Sequence, residues 1–295
     1  NGYRASKPSS SISGTLIGIG TTIRPPRGFF NAYRALPLES MTHTQSHTNL
    51  EPSLPSLIDL QSDVREHFGW DEIDDIESAK AMILRVENSS LEIWSRHNRM
   101  SSLSRLFRRL ETRKEGVAIL GAAIEPEELI NILSEPTMIV VADGAAGVIS
   151  EIPDSLSERA WSRVAFIVSD ADGGEGTIEA VRRSTPFFLH AHGDNRRDWK
   201  SLLEFAEEQD YPPEIILTHQ TSEKIPGMYN PGGFTDGDRA ACILTSLGVS
   251  NDRIQVLGTR ADVVGRWSGT TQEKMKIEKL QWMRRILGIQ GLWED

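Results

Sequence analysis

Cysteine is nearly absent from this 295-residue chain. Cys242 is the only one, which excludes an internal disulfide framework and a cysteine-rich zinc site. Long apolar runs are missing as well: no window approaches the roughly 18 apolar residues of a membrane span, so no membrane partner is expected. Acidic residues outnumber basic ones over most of the length. Residues 1–50 hold Arg4, Lys7, Arg24, Arg27 and Arg34 against Glu39, a local charge of +4, while the whole chain carries −10. The remaining body is therefore at −14, and no cluster of Lys and Arg interrupts it. A surface that acidic repels nucleic-acid backbones, so nucleic acid is not an expected partner.

Residues 1–56 are rich in Ser, Thr and Pro and lack apolar periodicity. They read as a disordered or spurious N-terminal extension. The stretch Thr15–Ile23 contains Gly18 and Gly20, but Pro25 and Pro26 follow where a phosphate loop would open a helix. The basic, acid-poor composition also resembles a transit peptide. Met41 is the alternative start of the domain-bearing part.

The remainder divides in two. Residues 57–113 read as a small helical domain. Ile73, Ile76, Ala79, Met82, Ile83 and Val86 recur at three- and four-residue intervals, and Leu91, Trp94, Leu103, Leu106 and Leu110 continue the pattern. From residue 114 to 295 the pattern changes to short apolar runs (117–122, 138–145, 164–172, 187–195, 214–221 and 253–259) separated by helix-length segments. That alternation predicts an α/β fold: a mainly parallel sheet with helices on both faces.

Polar residues gather where the apolar runs end. Asp143-Gly144, Asp170-Ala-Asp172-Gly-Gly, His190-Ala-His192-Gly-Asp194-Asn195 and Thr218-His-Gln220-Thr close successive strands, and a loop carrying Asp236, Asp238 and Arg239 opens a later helix. Ligands in open α/β sheets bind beyond the carboxyl ends of the strands. Carboxylates two residues apart can hold a hard cation such as Mg²⁺, which is usually shared with substrate phosphates. Phosphate or nucleotide chemistry is the expectation. An Asp followed by Gly is also an ordinary turn or helix cap, so Asp143 or Asp236 alone points to neither reading. His190 and His192 lie two apart on one strand, and His192, nearer its end, is the one expected to face a ligand. Cys242 sits in an apolar helix and is expected to be packing. Trp267, Trp282 and Trp293 are expected to pack the C-terminal helix.

The ordered set ADGA (142–145), SDADG (169–173), HAHGDN (190–195), THQT (218–221), GGFTDGDRA (232–240) and KMKIEKL (274–280) resembles the archaeal 6-hydroxymethyl-7,8-dihydropterin pyrophosphokinases. The family's catalytic domain is in turn similar to thiamin pyrophosphokinase. The resemblance covers most of residues 60–288 and includes HFGWDEIDD (67–75). It implies a cytoplasmic enzyme that transfers diphosphate from ATP to a pterin hydroxymethyl group with Mg²⁺ and releases AMP, in folate-like or methanopterin cofactor synthesis. A homodimer is the assembly considered.

By that resemblance Asp170, Asp172 and Asp194 are expected to hold Mg²⁺. Asp143, with Gly144, would position bound water or substrate, and Asp236 or Asp238 would orient the pterin or take its hydroxyl proton. Arg239, Lys276 and Lys279 are the cations expected against phosphate, although a solvated helix face explains them equally. His192, Asn195, Thr218 and Gln220 would supply hydrogen bonds to the nucleotide or pterin. The chain departs from the family where LGAAIEPEE (120–128) replaces a Gly-x-Gly-Pro-Ser turn, retaining only Gly121. It also carries the additional stretch 155–163. Two other classes fit parts of the sequence. A haloacid-dehalogenase-like phosphatase shares an Asp-x-Asp-Gly motif, but normally on its first strand, and a nucleotide-binding module would need no turnover.

Overall fold

The computed structural model describes residues 49–269 and 272–293. The expectations for residues 1–48 lie outside that range. Three helices come first: α1 (Ser56–Phe68), α2 (Glu72–Glu87) and, after a 3₁₀ turn at Glu92–Trp94, α3 (Arg96–Thr112). Their starts follow from local chemistry. The Asp71 side chain accepts the Ile73 N–H to cap α2, and the Ser95 hydroxyl accepts the Asn98 N–H to cap α3. Gly69 ends α1 in the left-handed conformation that a residue without Cβ adopts freely.

The sheet follows as β1 (Gly116–Leu120), β2 (Thr137–Ala142), β3 (Val164–Ser169), β4 (Phe187–Ala191), β5 (Ile215–His219) and β6 (Ile254–Leu257). All neighbouring strands are parallel, in the order β5-β4-β3-β2-β1-β6. The expected parallel sheet is present. The crossover helices are α4 (Pro126–Leu133), α5 (Asp154–Arg163), α6 (Gly174–Arg182) and α7 (Arg196–Glu207). The additional stretch 155–163 is thus most of α5.

Topology decides which face each helix covers. From β1 to β5 the chain steps in one direction across the sheet, and right-handed crossovers then put every connecting helix on the same side. Leu129, Ala160, Ala180 and Leu203, from α4 to α7, share one buried cluster with Ile139, Ile167, Leu189 and Leu217. From β5 the chain must return past β1 to reach β6, so α8 (Asp236–Ser246) lies on the opposite face. There Ile243 and Leu244 pack with Leu106 of α3, Leu287 of α9 (Glu273–Ile289), and Val140, Phe166, Phe188 and Ile216. Successive strand residues go to opposite clusters, the period-two alternation of a sheet buried on both sides. Helices therefore cover both faces.

Residues 57–113 are built into these layers. Met82 and Val86 of α2 join the first cluster, Leu103 and Leu110 of α3 the second, and Leu57 and Leu60 of α1 pack with Cys242 and Ile286. Ile73, expected on the apolar stripe, is 49% exposed, because the first turn of α2 projects beyond the layer it covers. Cys242 is buried packing, as its helix predicts.

Trp94 is fully buried beneath α2, and its indole N–H donates to the Pro213 carbonyl at 2.9 Å. Replacing it removes a large packed surface and orphans that carbonyl. Trp94→Ala is expected to lower the unfolding free energy by about 3–5 kcal/mol in urea denaturation. A loss below about 1 kcal/mol would contradict this packing.

Candidate active site

Four strands deliver polar groups to one end of the sheet, because each parallel strand ends there. Asp143 follows β2, Asp170 and Asp172 follow β3, His192 follows β4, and Gln220 follows β5. One carboxylate oxygen from each of Asp143, Asp170 and Asp172 lies within 4.8 Å of the other two. Asp170 and Asp172 follow β3 in a turn rather than in extended backbone. Ala171 between them takes a left-handed φ of 79°, and its N–H donates to the Ser169 hydroxyl at 2.9 Å. Asp143 also has a positive φ, 42°. Backbone strain of this kind persists where surrounding contacts over-determine it. Here Ser169 and Thr177 (2.9 Å) both donate to Asp143 Oδ1.

Two glycines allow the loops to meet. A Cβ on Gly144 would lie 2.4 Å from the Trp267 carbonyl, and one on Gly173 would lie 2.3 Å from the Gly144 nitrogen and 2.4 Å from Asp143 Oδ2. Neither position accepts a side chain without moving backbone.

Charge is crowded here. Burial and then the neighbouring Asp170 push the Asp143 carboxyl well above the ordinary carboxylate range. The same two causes raise Asp172, and Asp236 is raised well above that range by burial and by Asp170. Asp170 behaves oppositely. Burial would raise it, but the hydrogen bond and charge of His192 outweigh that and hold it below the usual range. His192 Nε2 is 3.3 Å from Asp170 Oδ2, and its Nδ1 is 2.7 Å from Asp194 Oδ1. Burial would lower the imidazole; the two carboxylates win and raise it to about 9.

The acids stand between two cavities. On the β1/β6 side, where the strand order reverses, a narrow crevice is lined by Gly121, Asp143, Gly144, Asp172, Gly258 and Lys276, among others. On the other side a cavity of about 370 Å³ is lined by Trp70, Asp75, Asp170, His192, Gln220 and Phe234, among others. Thr235, Asp236 and Lys276 line both. The second cavity has aromatic walls. Trp70 stacks on Phe68 with centroids 4.7 Å apart, Phe234 lies 6.2 Å from Trp70, and Lys279 Nζ sits 5.0 Å over the Trp70 ring.

The anticipated residues do not all meet. Asp194 is not part of the acidic trio. It lies past the end of β4 with its carboxylate turned to His192 and 84% exposed, and Asp143 occupies the third position instead. Asn195 is buried and lines neither cavity. Its amide donates to the Asp170 and His190 carbonyls (2.9 and 2.8 Å) and accepts the His192 N–H, stapling two strand-end loops together. Thr218 is fully buried, within 3.0 Å of His190 Nδ1. Asp238 accepts the Phe234 N–H at 3.0 Å, and Arg239, 1% exposed, donates to the Phe234 carbonyl at 2.8 Å. These four bond groups behind the cavity linings, and Arg239 Nε and Nη1 are buried without a hydrogen-bond partner. Lys276 and Lys279 reach the cavities, and Gly121 is at the crevice. The Gly121 and Ala123 N–H groups are spent on the Leu257 and Gly258 carbonyls, so that turn offers these two amides to no ligand. Trp267 does not pack the C-terminal helix: it lies against Gly147 and donates to the Ile124 carbonyl at 3.0 Å.

Trp70, Asp74, Asp75 and Phe234 are among the lining residues that the sequence did not mark as site residues. Asp75 had a legible signal. It stands four residues before Ala79 on the buried stripe of α2, where an unpaired carboxylate has no place.

The acidic cluster suits a divalent cation. Asp143 is buried, Asp170 and Asp236 are half-buried and Asp172 is exposed; these four carboxyls have two cationic neighbours, His192 and Lys276, and Asp170 Oδ1 is buried without a hydrogen-bond partner. Among the described residues, no helix is long and apolar enough to cross a membrane.

Comparison with known proteins gives three relatives, each named 6-hydroxymethyl-7,8-dihydropterin pyrophosphokinase. The Pyrococcus furiosus protein is 31% identical over 157 residues, covering 50% of this chain and 59% of the relative. The Methanocaldococcus jannaschii protein is 31% identical over 191 residues, covering 61% of this chain and 69% of the relative. The Methanothermobacter thermautotrophicus protein is 36% identical over 140 residues, covering 46% and 52%. The chain thus spans from about half to about two thirds of the relatives' lengths. No family model matches it.

His219, 3% exposed at the end of β5, accepts from Thr221, and burial together with the Arg239 charge lowers its pKa to about 4. A histidine held neutral in the fold contributes stability that is complete above its unfolded pKa near 6.5 and is lost as pH falls toward 4. Between pH 7 and 4.5 this group is expected to remove on the order of 2 kcal/mol from the unfolding free energy. The His219→Gln variant should show a correspondingly shallower decline; an identical decline would refute the assignment.

Proposed function

We propose, from the premise that this chain belongs to the 6-hydroxymethyl-7,8-dihydropterin pyrophosphokinase family, that it transfers the terminal diphosphate of ATP to the hydroxymethyl group of a dihydropterin. The observation that carries the reading is the cluster of carboxyls with one shared lysine, Lys276, standing between two cavities. Transfer needs a donor and an acceptor approaching one charged centre from opposite sides, in line.

The crevice at the β1/β6 reversal is the ATP side. Ligands of open parallel sheets bind at such reversals, and the small residues Gly121, Gly144 and Gly258 allow close approach. The 370 Å³ cavity is the pterin side. A flat amino-substituted heterocycle matches aromatic walls at Trp70 and Phe234 and the carboxylates beside them.

Asp143, Asp170 and Asp172 would hold Mg²⁺. When bound, the ion neutralises phosphate charge that would otherwise be repelled by these acids. The rest falls to the chain's own groups. Lys276 lines both cavities and counters the charge of the moving diphosphate. Asp236 also faces both, and it orients the hydroxymethyl oxygen and accepts its proton. The pterin oxygen bonds to the β-phosphorus, the bond from that phosphorus to the α-bridging oxygen breaks, and AMP leaves. His192 is the cation that keeps Asp170 ionised for this work.

Incubation with ATP, Mg²⁺ and 6-hydroxymethyl-7,8-dihydropterin should yield AMP and pterin diphosphate in equal amounts. EDTA should abolish both products. Asp172→Asn should reduce kcat about 100-fold or more with an unchanged circular dichroism spectrum. AMP formation without pterin, or a variant retaining most of the turnover, would contradict the proposal.

A further inference from the structure

Asp75 is buried where α2 meets the sheet ends, 5% exposed, and it reaches two loops at once. Its Oδ1 accepts the Gly193 N–H at 2.8 Å, on the loop that carries His192 and Asp194. Its Oδ2 accepts from the Gln220 amide at 3.0 Å, on the loop after β5. Gln220 is held at its other end: its carbonyl oxygen is 3.3 Å from His190 Nε2, whose Nδ1 is 3.0 Å from Thr218 Oγ1. Burial and Arg239 keep His190 neutral, and because Asp75 takes the Gln220 N–H, the Gln220 side-chain oxygen faces His190 Nε2 and pairs with the tautomer that donates there.

The neighbouring helix joins the same grip. Arg65 of α1 donates to the Gln220 carbonyl at 2.8 Å and lies 3.6 Å from Asp75, and Glu72 accepts the Ser222 N–H at 2.7 Å. Gly193 has no room for a side chain, since a Cβ would lie 2.9 Å from Asp74 Cβ. The walls formed by His192 to Asp194 and by Gln220 are therefore set by α1 and α2, not by the sheet alone.

We infer that Asp75 is a positioning residue for the acceptor: through Gly193 and Gln220 it fixes the pterin-side wall of the cavity, and the helical segment thereby governs acceptor affinity without touching the ATP side. Asp75 lines the acceptor cavity and not the β1/β6 crevice. The inference rests on reading that cavity as the pterin seat.

The test is a KM split. Asp75→Asn keeps the volume but sets an amide N–H against the Gln220 N–H, so the bridge breaks. The KM for the pterin should rise about tenfold or more, the loss typical of a buried hydrogen bond to a carboxylate, while the KM for ATP stays within about twofold. Asp75→Asn combined with Gln220→Glu exchanges donor and acceptor and should recover most of the loss, which a purely structural role would not produce. If Asp75→Asn does not fold, Gln220→Met removes the same bridge from the other side and should show the same split. Unchanged pterin KM in a folded variant, or equal rises for both substrates, would overturn the inference alone. A wild-type enzyme with no turnover of the pterin would instead overturn the reading of the cavity, and the inference with it.

Discussion

Mutual repulsion among crowded carboxyls is the constraint around which this site is arranged. Asp143, Asp170, Asp172 and Asp236 are brought together at the ends of β2 and β3 and the start of α8, from the buried Asp143 to the exposed Asp172. Three of the four are pushed upward by burial and then by that company, and only Asp170, paired with His192, is held down. No packing requirement brings acids together in this way. The strained turns at Asp143 and Ala171 and the close glycines Gly144 and Gly173 all serve to maintain the crowding. A site that stores repulsion is one that gains when positive charge arrives.

The topology explains why two cavities flank that centre. Stepping from β1 to β5 in one direction and returning to β6 makes the strand order reverse at β1, which opens the crevice on one side. On the other side the strand-end loops after β4 and β5 are left without a neighbour from the sheet. The turn between α1 and α2 covers them with Trp70 and Asp75. Lys276, from α9 on the opposite face, reaches over the top to both. Elements distant in sequence thus meet at one place because parallel strands all point there.

Much of this was legible in the sequence, and the limits are physical. Alternating apolar runs and helix-length segments define the parallel sheet, since burial on both faces demands continuous apolar strands. Acids beside glycines mark the strand ends. Asn195, Asp238 and Arg239 share motifs with the lining residues but bond backbone groups of the strand-end and pre-α8 loops, which spacing in the sequence does not show. Asp143 rather than Asp194 stands beside Asp170 and Asp172, because the Asp194 carboxylate turns to His192, a contact that spacing along the chain does not show. Trp70 and Asp75 were hidden by an amphipathic pattern that accounts for α2 without asking why one buried position is charged.

The account turns on donor and acceptor meeting across the acids from opposite cavities. A crystal structure of the protein with Mg²⁺, a non-hydrolysable ATP analogue and 6-hydroxymethyl-7,8-dihydropterin tests it most directly. The prediction is a pterin ring between Trp70 and Phe234, phosphates running from the β1/β6 crevice, and the ion bound by Asp143, Asp170 and Asp172. A pterin seated in the crevice, or an ion bound away from those three carboxylates, would contradict it.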